Sequence, residues 1–423
     1  MTFAIHTFGC KVNIYESEYV TNLLLESGYQ MLDFNSDKEA DIYIINTCTV
    51  TNEADKKDRK LIHTTKNNHK NSVLIVMGCY SQLNPNIIDA DIVIGNKYKS
   101  EIINLINQFK ENNQKIIKVD NISKTSFEDM YISRFLTHTR AFVKIQDGCN
   151  AFCAYCTIPY ARGGIRSKDF DKVISEVTNL VNNGYQEIVL TGIHTGRYGI
   201  DKHTNLEKLL RELVTIPNIF RIRLSSIEIN EITDGIIDLI KNNDIMAKHL
   251  HIPLQSGSNT ILKSMNRMYD KETFIKRVSE IRKEIPDISI TTDLILGFPG
   301  ETDELYNETV DTLNKIKFTK IHTFPYSKRS GTKAASMPNQ IDGNIKKCRV
   351  KEVITLSNKL ELAFYKQKIG NIYDGIIETR KDGKKIVITS NYIPIEVITN
   401  LDNNQKVNVK INIVDEKIMG EIL

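Results

Sequence analysis

The sequence has no long hydrophobic run and no segment typical of export. Nowhere do 18 or more apolar residues follow one another, so no membrane span and no membrane partner are expected. The first ten residues lack a basic start followed by an apolar stretch, which argues against a secretory signal. We therefore expect a cytoplasmic protein, in which thiols stay reduced.

A strong net charge and a complete set of paired cysteines are also missing. The 423 residues carry 56 Lys and Arg against 52 Asp and Glu, and a net charge of +4 does not by itself predict nucleic-acid binding. A local basic face remains compatible with this balance. The 7 cysteines are an odd number, which fits poorly with a full set of disulfides. Such cysteines are more often ligands, nucleophiles or core residues.

The order of strand and helix signals divides the chain into three domains of the α/β class. Alternating signals in residues 1–115 predict a parallel sheet covered by helices. Residues 116–138 are polar and weakly periodic, and we predict a linker there. The alternation restarts in residues 139–368 with six strands, which predicts a partial (β/α)6 barrel. Residues 369–423 hold short segments rich in β-branched side chains, which predict a small β-barrel.

Three closely spaced cysteines form the strongest motif in the sequence. Cys149, Cys153 and Cys156 follow the first predicted barrel strand, on the face where such barrels carry their active sites. Three thiolates can hold three irons of a [4Fe–4S] cube, which normally takes four cysteines. The remaining iron can then bind S-adenosylmethionine, and the cofactor carries the radical chemistry. A zinc site or unpaired buried cysteines are the alternatives, although zinc requires a fourth ligand.

A second set of cysteines is dispersed along the first domain. Cys10, Cys48 and Cys79 each stand at the carboxyl end of a predicted strand, where an open α/β sheet converges on a ligand. Helix N-termini begin just beyond each of them and favour a negatively charged group. These three thiols can hold a second cluster, and core residues are the alternative interpretation.

The segments around both sets resemble the methylthiotransferase family of radical S-adenosylmethionine enzymes. The resemblance covers essentially the whole chain and rests on Thr7–Asn13, Asn46–Thr51, Met77–Tyr80, Asp147–Cys149 and Ile158–Gly163. It implies an N-terminal methylthiotransferase domain, a radical barrel and a C-terminal TRAM domain. It also implies two [4Fe–4S] clusters held by the six cysteines, together with S-adenosylmethionine. Cys348 matches no family ligand.

Candidate cofactor-binding residues lie near the radical cysteines and after the barrel strands. The resemblance places the ring of Tyr155 near the adenine of the cofactor. Residues at strand ends are candidates to hold the rest of it, with ordinary turn chemistry as the alternative; they are Thr191, Gly192, Ser226, Glu228, Gln255 and Gly297. His194 is a candidate proton donor or a structural histidine. Arg162 and Arg166 are candidates to contact phosphate or carboxylate, or are simply solvated.

The resemblance also implies a substrate. Family branches modify isopentenyl-adenosine in tRNA, threonylcarbamoyl-adenosine at the same position, or an aspartate of a ribosomal protein. Lys11–Asn13 and the Ile158–Gly163 segment look like the threonylcarbamoyl branch. The implied reaction is methylthiolation of C2 of N6-threonylcarbamoyladenosine at position 37, with two S-adenosylmethionine molecules per methylthio group.

Partners follow from that reaction, and two other functions remain open. The implied partners are the tRNA anticodon stem-loop, an electron donor and a sulfur donor. The substrate carboxylate requires a cation that the sequence does not identify. Methylthiolation of isopentenyl-adenosine and a non-catalytic iron–sulfur RNA-binding sensor are the alternatives.

The tail carries a basic hairpin. Arg380, Lys381, Lys384 and Lys385 cluster around Asp382-Gly383, a dipeptide typical of hairpin turns. The TRAM-like tail is similar to small β-barrels that grip RNA, so we predict contact with tRNA phosphates here. A solvated loop is the alternative interpretation.

Overall fold

The computed structural model describes residues 1–136, 138–414 and 417–423. Its first unit is a six-stranded, all-parallel sheet with strand order β2-β1-β3-β4-β5-β6. The strands are β1 (Thr2–Thr7), β2 (Gln30–Met31), β3 (Ile42–Thr47), β4 (Val73–Gly78), β5 (Ile92–Ile94) and β6 (Ile116–Lys118). The helices are α1 (Lys11–Glu26), α2 (Asn52–Asn68), α3 (Cys79–Leu83) and α4 (Ile102–Asn112).

The sheet forms because its central strands are apolar on both faces. Ile42 and Ile44 of β3 belong to one buried cluster, whereas Tyr43 and Ile45 belong to a second cluster on the opposite face. Successive side chains of a strand point to opposite faces, so a strand buried on both sides reads as a continuous apolar run. The predicted parallel α/β sheet is therefore confirmed.

The segment predicted as a linker, residues 116–138, packs partly against the first sheet and partly against the barrel. Ile116 pairs with Ile92, so residues 116–118 form the sixth strand of the sheet. Further along, Met130, Ile132 and Phe135 are buried in the core of the following barrel. Isolated apolar residues in an irregular segment leave no periodic signal, which is why the sequence did not reveal this packing.

The second unit is an open barrel of six parallel strands, as predicted. It has two three-stranded halves, β11-β10-β7 and β12-β13-β14, joined by one bridge between Ile222 and Met246. Its strands are β7 (Ala141–Lys144), β10 (Glu187–Thr191), β11 (Arg221–Leu224), β12 (His249–His251), β13 (Ser289–Leu296) and β14 (Lys320–Pro325). A short antiparallel ribbon follows β7 and consists of β8 (Gln146–Asp147) and β9 (Arg166–Ser167).

Helices cover the outside of this barrel. They are α6 (Phe170–Asn182), α7 (Leu206–Leu213), α8 (Asp234–Asn242), α9 (Asn259–Ser264), α10 (Lys271–Glu284), α11 (Asp303–Ile316) and α12 (Gly343–Lys366). The short helix α5 (Ile158–Arg162) instead follows the cysteine loop and packs against α3 of the first unit. The last helix runs beside the edge strand β14. There the Ser357 hydroxyl accepts a hydrogen bond from the Ile321 N–H at 3.0 Å and donates one to the Ile321 carbonyl at 3.4 Å. No helix among the described residues is both long and apolar enough to cross a membrane.

The third unit is a closed five-stranded β-barrel with strand order β15-β16-β17-β19-β18. Its strands are β15 (Ile372–Thr379), β16 (Lys385–Thr389), β17 (Pro394–Val397), β18 (Lys406–Val414) and β19 (Lys417–Ile422). The predicted small barrel is confirmed, but β19 was not predicted. Gly420 interrupts its apolar alternation, because a Cβ there would lie 2.4 Å from Val409 and 2.5 Å from Ile395 in the barrel core.

Arginines fasten the third unit to the N-terminal ends of the barrel strands. Arg221 and Arg223 lie on β11 and donate hydrogen bonds to main-chain carbonyls at the end of β16 and in the turn directly after it, at 3.1–3.2 Å. Arg140 precedes β7 and forms an ion pair of 2.6 Å with Glu378 on β15. The small barrel therefore covers the floor of the open barrel.

A buried charge network joins the first unit to the barrel. Glu16 on α1 contacts Lys144 at 2.8 Å, Arg162 at 2.9 Å and Lys99 at 3.5 Å, and none of these four side chains is appreciably exposed. Burial opposes its ionisation, but the three cations hold the pKa of Glu16 well below its usual range. Asp147 shares Lys144 and Arg162, so the network reaches the start of the Cys149 loop.

Replacing Glu16 tests this network. We expect Glu16→Gln to lower the free energy of unfolding by about 3–5 kcal/mol, because it leaves buried cations without their counter-charge. Glu212→Gln, at an exposed position on α7, is the matched control and should change stability by less than about 0.5 kcal/mol. Urea denaturation followed by circular dichroism measures both. Equal midpoints for the two variants would show that Glu16 does not hold the units together.

Candidate functional site

The loop that carries Cys149, Cys153 and Cys156 lies at the carboxyl end of the barrel and is fixed by main-chain bonds. The Cys149 N–H donates to Gly163 O at 2.9 Å, and the Cys156 N–H donates to Cys153 O at 2.9 Å. Burial, and then the nearby thiols of Cys153 and Cys149, raise the pKa of Cys156 to about 12. Three thiols that oppose one another's ionisation become thiolates together only when a cationic centre binds them.

The second set of cysteines converges at one edge of the sheet. Cys10 precedes α1, Cys48 follows β3 and Cys79 begins α3 directly after β4. The Cys10 sulfur lies 3.9 Å from Asn13 Oδ1, and Arg162 donates both to that oxygen and to the Cys79 sulfur. Burial, and then the neighbouring thiols of Cys79 and Cys10, raise the pKa of Cys48 to about 12. Gly9, at φ +100°, leaves room for this approach, since a Cβ there would lie 3.1 Å from the Cys48 sulfur.

Both sets present the donor chemistry of an iron–sulfur cluster. Soft thiolates suit iron–sulfur clusters, and each cysteine of a cube binds a separate iron. Within residues 1–136, 138–414 and 417–423, no three His, Cys, Asp or Glu side chains lie close enough together to share a single metal ion. The thiol chemistry of each set, and not its present spacing, is what fits such a cluster.

Arg162 is part of the protein interior, which corrects its interpretation as a phosphate or cofactor contact. Its guanidinium donates to the Cys79 sulfur at 3.2 Å, to Asn13 Oδ1 at 2.7 Å and to Glu16, and it is fully buried. Arg166 instead donates to the Arg162 carbonyl at 2.7 Å. Both arginines therefore organise the junction between the cysteine sets.

A cavity of about 180 Å³ lies between the first unit and the barrel, next to the radical cysteines. It is lined by Val50 and Thr51 from the first unit and by barrel residues that include Tyr155, Cys156, Thr157, Ile158, Gln255, Asp293, Ile295, Phe324, Pro325, Tyr326 and Ser327. Two candidates from the sequence, Tyr155 and Gln255, are thus brought together beside Cys156. The backbone of Gln255 has φ +63°, which turns the chain sharply at this point.

The other candidate cofactor residues lie on the same barrel face but outside this lining. Thr191 is buried, and a Cβ on Gly192 would lie 2.9 Å from the Gln146 side chain. Ser226 is exposed, whereas Glu228 forms an ion pair with Arg267. That arginine also donates to the Cys153 sulfur at 3.2 Å.

Gly297 occupies a different environment at the end of β13. Its N–H donates to the buried Glu301 carboxylate at 2.7 Å, and the side chain of Lys346 covers it. The lining of the cavity does not include it. Its assignment as a cofactor contact stays a prediction.

His194 lies between a cysteine and a carboxylate. Its Nδ1 is 3.3 Å from the Cys149 sulfur, and its Nε2 is 2.8 Å from Glu231. Burial lowers its pKa, but the hydrogen bonds with Cys149 and Glu231 dominate and raise the pKa to about 10. A histidine bonded on both sides fits the structural interpretation better than that of a proton donor.

Sequence reasoning missed Asp293 and Arg267. Asp293 is the charged residue of the mostly buried strand β13, and a carboxylate at such a position is a signal that was available. Arg267 lies in a turn after α9, where nothing in its surroundings distinguishes it from a solvated arginine.

Two of the four cationic side chains in the basic hairpin of the tail already have partners within the protein. Lys384 forms an ion pair with Glu396 at 2.8 Å, and Lys385 donates to Asn403 Oδ1 at 3.1 Å. Arg380 and Lys381 are exposed at the turn, and in the described part of the chain neither forms an ion pair. These two residues are the accessible cations of the group.

Family models match both of the first two units. The radical S-adenosylmethionine superfamily matches residues 143–313, and an uncharacterized protein family, UPF0004, matches residues 2–95. With the open barrel and its three-cysteine loop, this defines the chain as a radical S-adenosylmethionine enzyme. The fold is similar to that of the radical S-adenosylmethionine methyltransferase TsrM from Kitasatospora setae, at a TM-score of 0.58 and 14% identity, covering 79% of this chain and 77% of that one.

Several curated relatives are similar over nearly the whole chain. The threonylcarbamoyladenosine tRNA methylthiotransferase MtaB of Bacillus subtilis is 45% identical over 93% of this chain and 90% of its own. The protein of the same name from Aquifex aeolicus is 37% identical over 94% and 96%. A tRNA-2-methylthio-N(6)-dimethylallyladenosine synthase of Thermoanaerobacter pseudethanolicus is 35% identical over 91% and 84%. The chain belongs to the radical S-adenosylmethionine methylthiotransferase family.

Single cysteine replacements test the two sets separately. Cys153→Ala should abolish formation of 5′-deoxyadenosine, because the radical cluster loses one of three protein ligands. Cys48→Ala should keep part of this cleavage but give no methylthio product. Each variant should retain about half of the iron of the reconstituted protein.

Cys348→Ala is the matched control, because Cys348 is exposed on α12, far from both sets in the sequence. It should keep full iron content and both activities. Full product yield from Cys48→Ala would refute the assignment of the second set.

Proposed function

We propose that this enzyme adds a methylthio group to C2 of N6-threonylcarbamoyladenosine at position 37 of tRNA. The observation that carries the proposal is the 45% identity, over 93% of the chain, to a relative named for that substrate. The dimethylallyladenosine synthase match of 35% over 91% is weaker, although it makes isopentenyl-type tRNA the second candidate substrate. In both cases the substrate is a modified adenosine in tRNA.

In the proposed enzyme, Cys149, Cys153 and Cys156 hold a radical [4Fe–4S] cluster, and Cys10, Cys48 and Cys79 hold a second one. The clusters and two molecules of S-adenosylmethionine per product supply the hydrogen abstraction and the methylated sulfur. The reaction also requires a reducing partner and a sulfur donor. The location of the cavity supports the proposal, because Cys156 lines one side and Val50 and Thr51, directly after Cys48, line the other.

The cavity wall suits a planar base taken out of its stack. Ile295, Phe324, Pro325 and Tyr326 give it an apolar and partly aromatic surface. RNA-modifying and RNA-binding sites commonly receive splayed bases on aromatic side chains. An adenine held here would lie beside Tyr155 and the radical cysteines.

Side-chain bonds between the two units fix the width of this cavity. The Thr157 hydroxyl donates to Thr49 O at 3.2 Å. Arg329 donates to the Thr49 hydroxyl at 2.6 Å and forms an ion pair of 2.7 Å with Asp55. These bonds hold the segment after Cys48 against the barrel mouth, so both units contribute a wall to the cavity.

Nucleoside analysis of a deletion strain tests the substrate. We expect loss of 2-methylthio-N6-threonylcarbamoyladenosine and accumulation of its unthiolated precursor, measured by mass spectrometry of digested tRNA. The wild-type gene should restore the product, and a Cys153→Ala copy should not. If the isopentenyl product disappears instead, the neighbouring branch is the correct assignment. If 5′-deoxyadenosine is never formed by the reduced protein, the sensor alternative is correct.

The exposed cations of the tail hairpin are proposed to contact tRNA phosphates. Replacing Arg380 and Lys381 together with Ala should weaken tRNA binding and flatten its log–log salt dependence by roughly 1.5 units, since each phosphate contact contributes about 0.7–0.9. Filter binding across a salt series measures the slope. The control is the double replacement of Lys351 and Lys359, both exposed on α12. Parallel slopes for both double variants would place the RNA surface elsewhere.

A further inference from the structure

The cavity beside the radical cysteines contains one carboxylate, that of Asp293. The structure describes all of the lining residues, and none of the others carries a carboxylate or a cationic group. The Asp293 side chain is 33% exposed, so it is open to the space of the cavity. A charged group beside apolar walls is unfavourable unless a hydrogen-bond donor compensates it. The cavity therefore suits a ligand that brings such a donor.

Asp293 faces the cavity because side chains alternate along β13. Asp293 and Ile295 lie on the inner face of the strand and line the cavity, whereas Leu294 and Leu296 belong to the buried core on the opposite face. Ile295 lies two residues nearer to the mouth of the barrel, which is roughly 7 Å along a strand. Asp293 is therefore deeper in the barrel than the apolar wall formed by Ile295 and its register partner Phe324.

Only one oxygen of this carboxylate has a partner within the protein. Asp293 Oδ2 lies 3.3 Å from His251 Nε2, and His251 Nδ1 lies 2.9 Å from the Thr291 hydroxyl. That hydroxyl is also 3.0 Å from His249 Nε2, so the row is fixed at both ends. Within residues 1–136, 138–414 and 417–423, Asp293 Oδ1 has no hydrogen bond and no ion pair. The carboxylate is thus oriented through Oδ2 and keeps Oδ1 available as an acceptor.

The barrel interior is open beside this carboxylate. His322 on β14 is the register partner of Asp293, and its ring centroid lies 5.8 Å from that of His251. His322 is exposed although its strand belongs to the barrel, so there is free space at this level. A substituent on a ligand bound at Asp293 can extend into that space, and the two histidines offer polar partners to it.

A base in this cavity needs a polar contact to fix its rotation. Apolar and aromatic walls hold the plane of a base, but their contacts are non-directional and leave it free to turn within that plane. A hydrogen bond is directional and fixes the edge that it meets. The donor on the edge of adenine is its exocyclic amine, and an N6-substituted adenosine keeps one N–H there. Because the ring is rigid, an anchored N6–H also fixes the direction in which C2 points.

We propose that Asp293 accepts a hydrogen bond from the N6–H of the target adenosine, and this inference rests on the proposed function. The N6 substituent then extends past His251 and His322 into the barrel, and C2 turns toward the side of the cavity that Cys156 lines. Asp293 is thus a substrate-binding residue that orients the base for reaction at C2. Both candidate substrates keep this N–H, so the contact selects adenosines with a single N6 substituent.

The test compares two stem-loop RNAs on the reconstituted, full-length enzyme. One carries N6-threonylcarbamoyladenosine, and the other carries the same nucleoside with a methyl group in place of the N6–H. We expect the wild-type enzyme to prefer the first RNA by about tenfold or more in kcat/KM, as for a hydrogen bond to a charged group. Asp293→Leu keeps a similar bulk without an acceptor and should reduce the preference to about threefold or less. Asp293→Asn keeps an acceptor oxygen and should retain part of the preference.

The ratio within one variant does not depend on its cluster content, because both RNAs are offered to the same protein. If Asp293→Leu has too little turnover, equilibrium binding of the two RNAs gives the same comparison. Asp311→Leu, at an exposed position on the outer helix α11, is the matched control and should keep the wild-type preference.

The possible results separate this contact from its alternatives. An undiminished preference in Asp293→Leu overturns the inference, because the methyl group is then excluded by shape alone. Weaker binding of S-adenosylmethionine by Asp293→Leu, with an unchanged ratio between the RNAs, assigns the carboxylate to the cofactor and also overturns it. A wild-type enzyme that modifies isopentenyl-adenosine RNA but neither of these two RNAs overturns the proposed function itself.

Discussion

The attraction between Glu16 and the buried cations around it is the interaction on which the site depends. Ion pairs in an interior are favourable only when several partners compensate the loss of water, and here Lys99, Lys144 and Arg162 do so. Because Glu16 lies on α1, it fixes the helix that begins directly after Cys10. Because Arg162 contacts the Cys79 sulfur and also Asp147, the same charges link the two cysteine sets.

The strands and helices could be predicted wherever a single stretch of residues carries its own hydrophobic pattern. Apolar strands such as Ile42–Thr47 and Val73–Gly78 are recognisable alone, and their alternation with helices predicts parallel sheets. Ile116–Lys118 and Lys417–Ile422 were missed because each strand depends on its neighbour: one is three residues long, and the other is interrupted by Gly420. A strand that is stabilised mainly by pairing with a distant segment has no recognisable pattern in its own sequence.

In the candidate site, too, residues recognisable from their own stretch of sequence differ from residues whose surroundings come from distant segments. Cys149, Cys153 and Cys156 could be proposed as ligands because they lie close together in the sequence, whereas Cys10, Cys48 and Cys79 were proposed from the resemblance of the segments around them. Arg162 was misinterpreted because its partner Glu16 is 146 positions away, so its burial cannot be seen in the sequence. Asp293 could be placed at the cavity only once the register of β13 with β14 was known.

The edge strands of the sheets leave few main-chain hydrogen-bonding groups unpaired, which matters for association with other chains. Unpaired edges invite pairing with other chains, and a protein awaiting cluster insertion is exposed to that risk. Here the edge strands β2 and β6 are only two and three residues long, the Ser357 hydroxyl bonds to the outer main chain of Ile321 on β14, and the C-terminal barrel is closed. These edges therefore offer few free main-chain groups with which a second chain could pair.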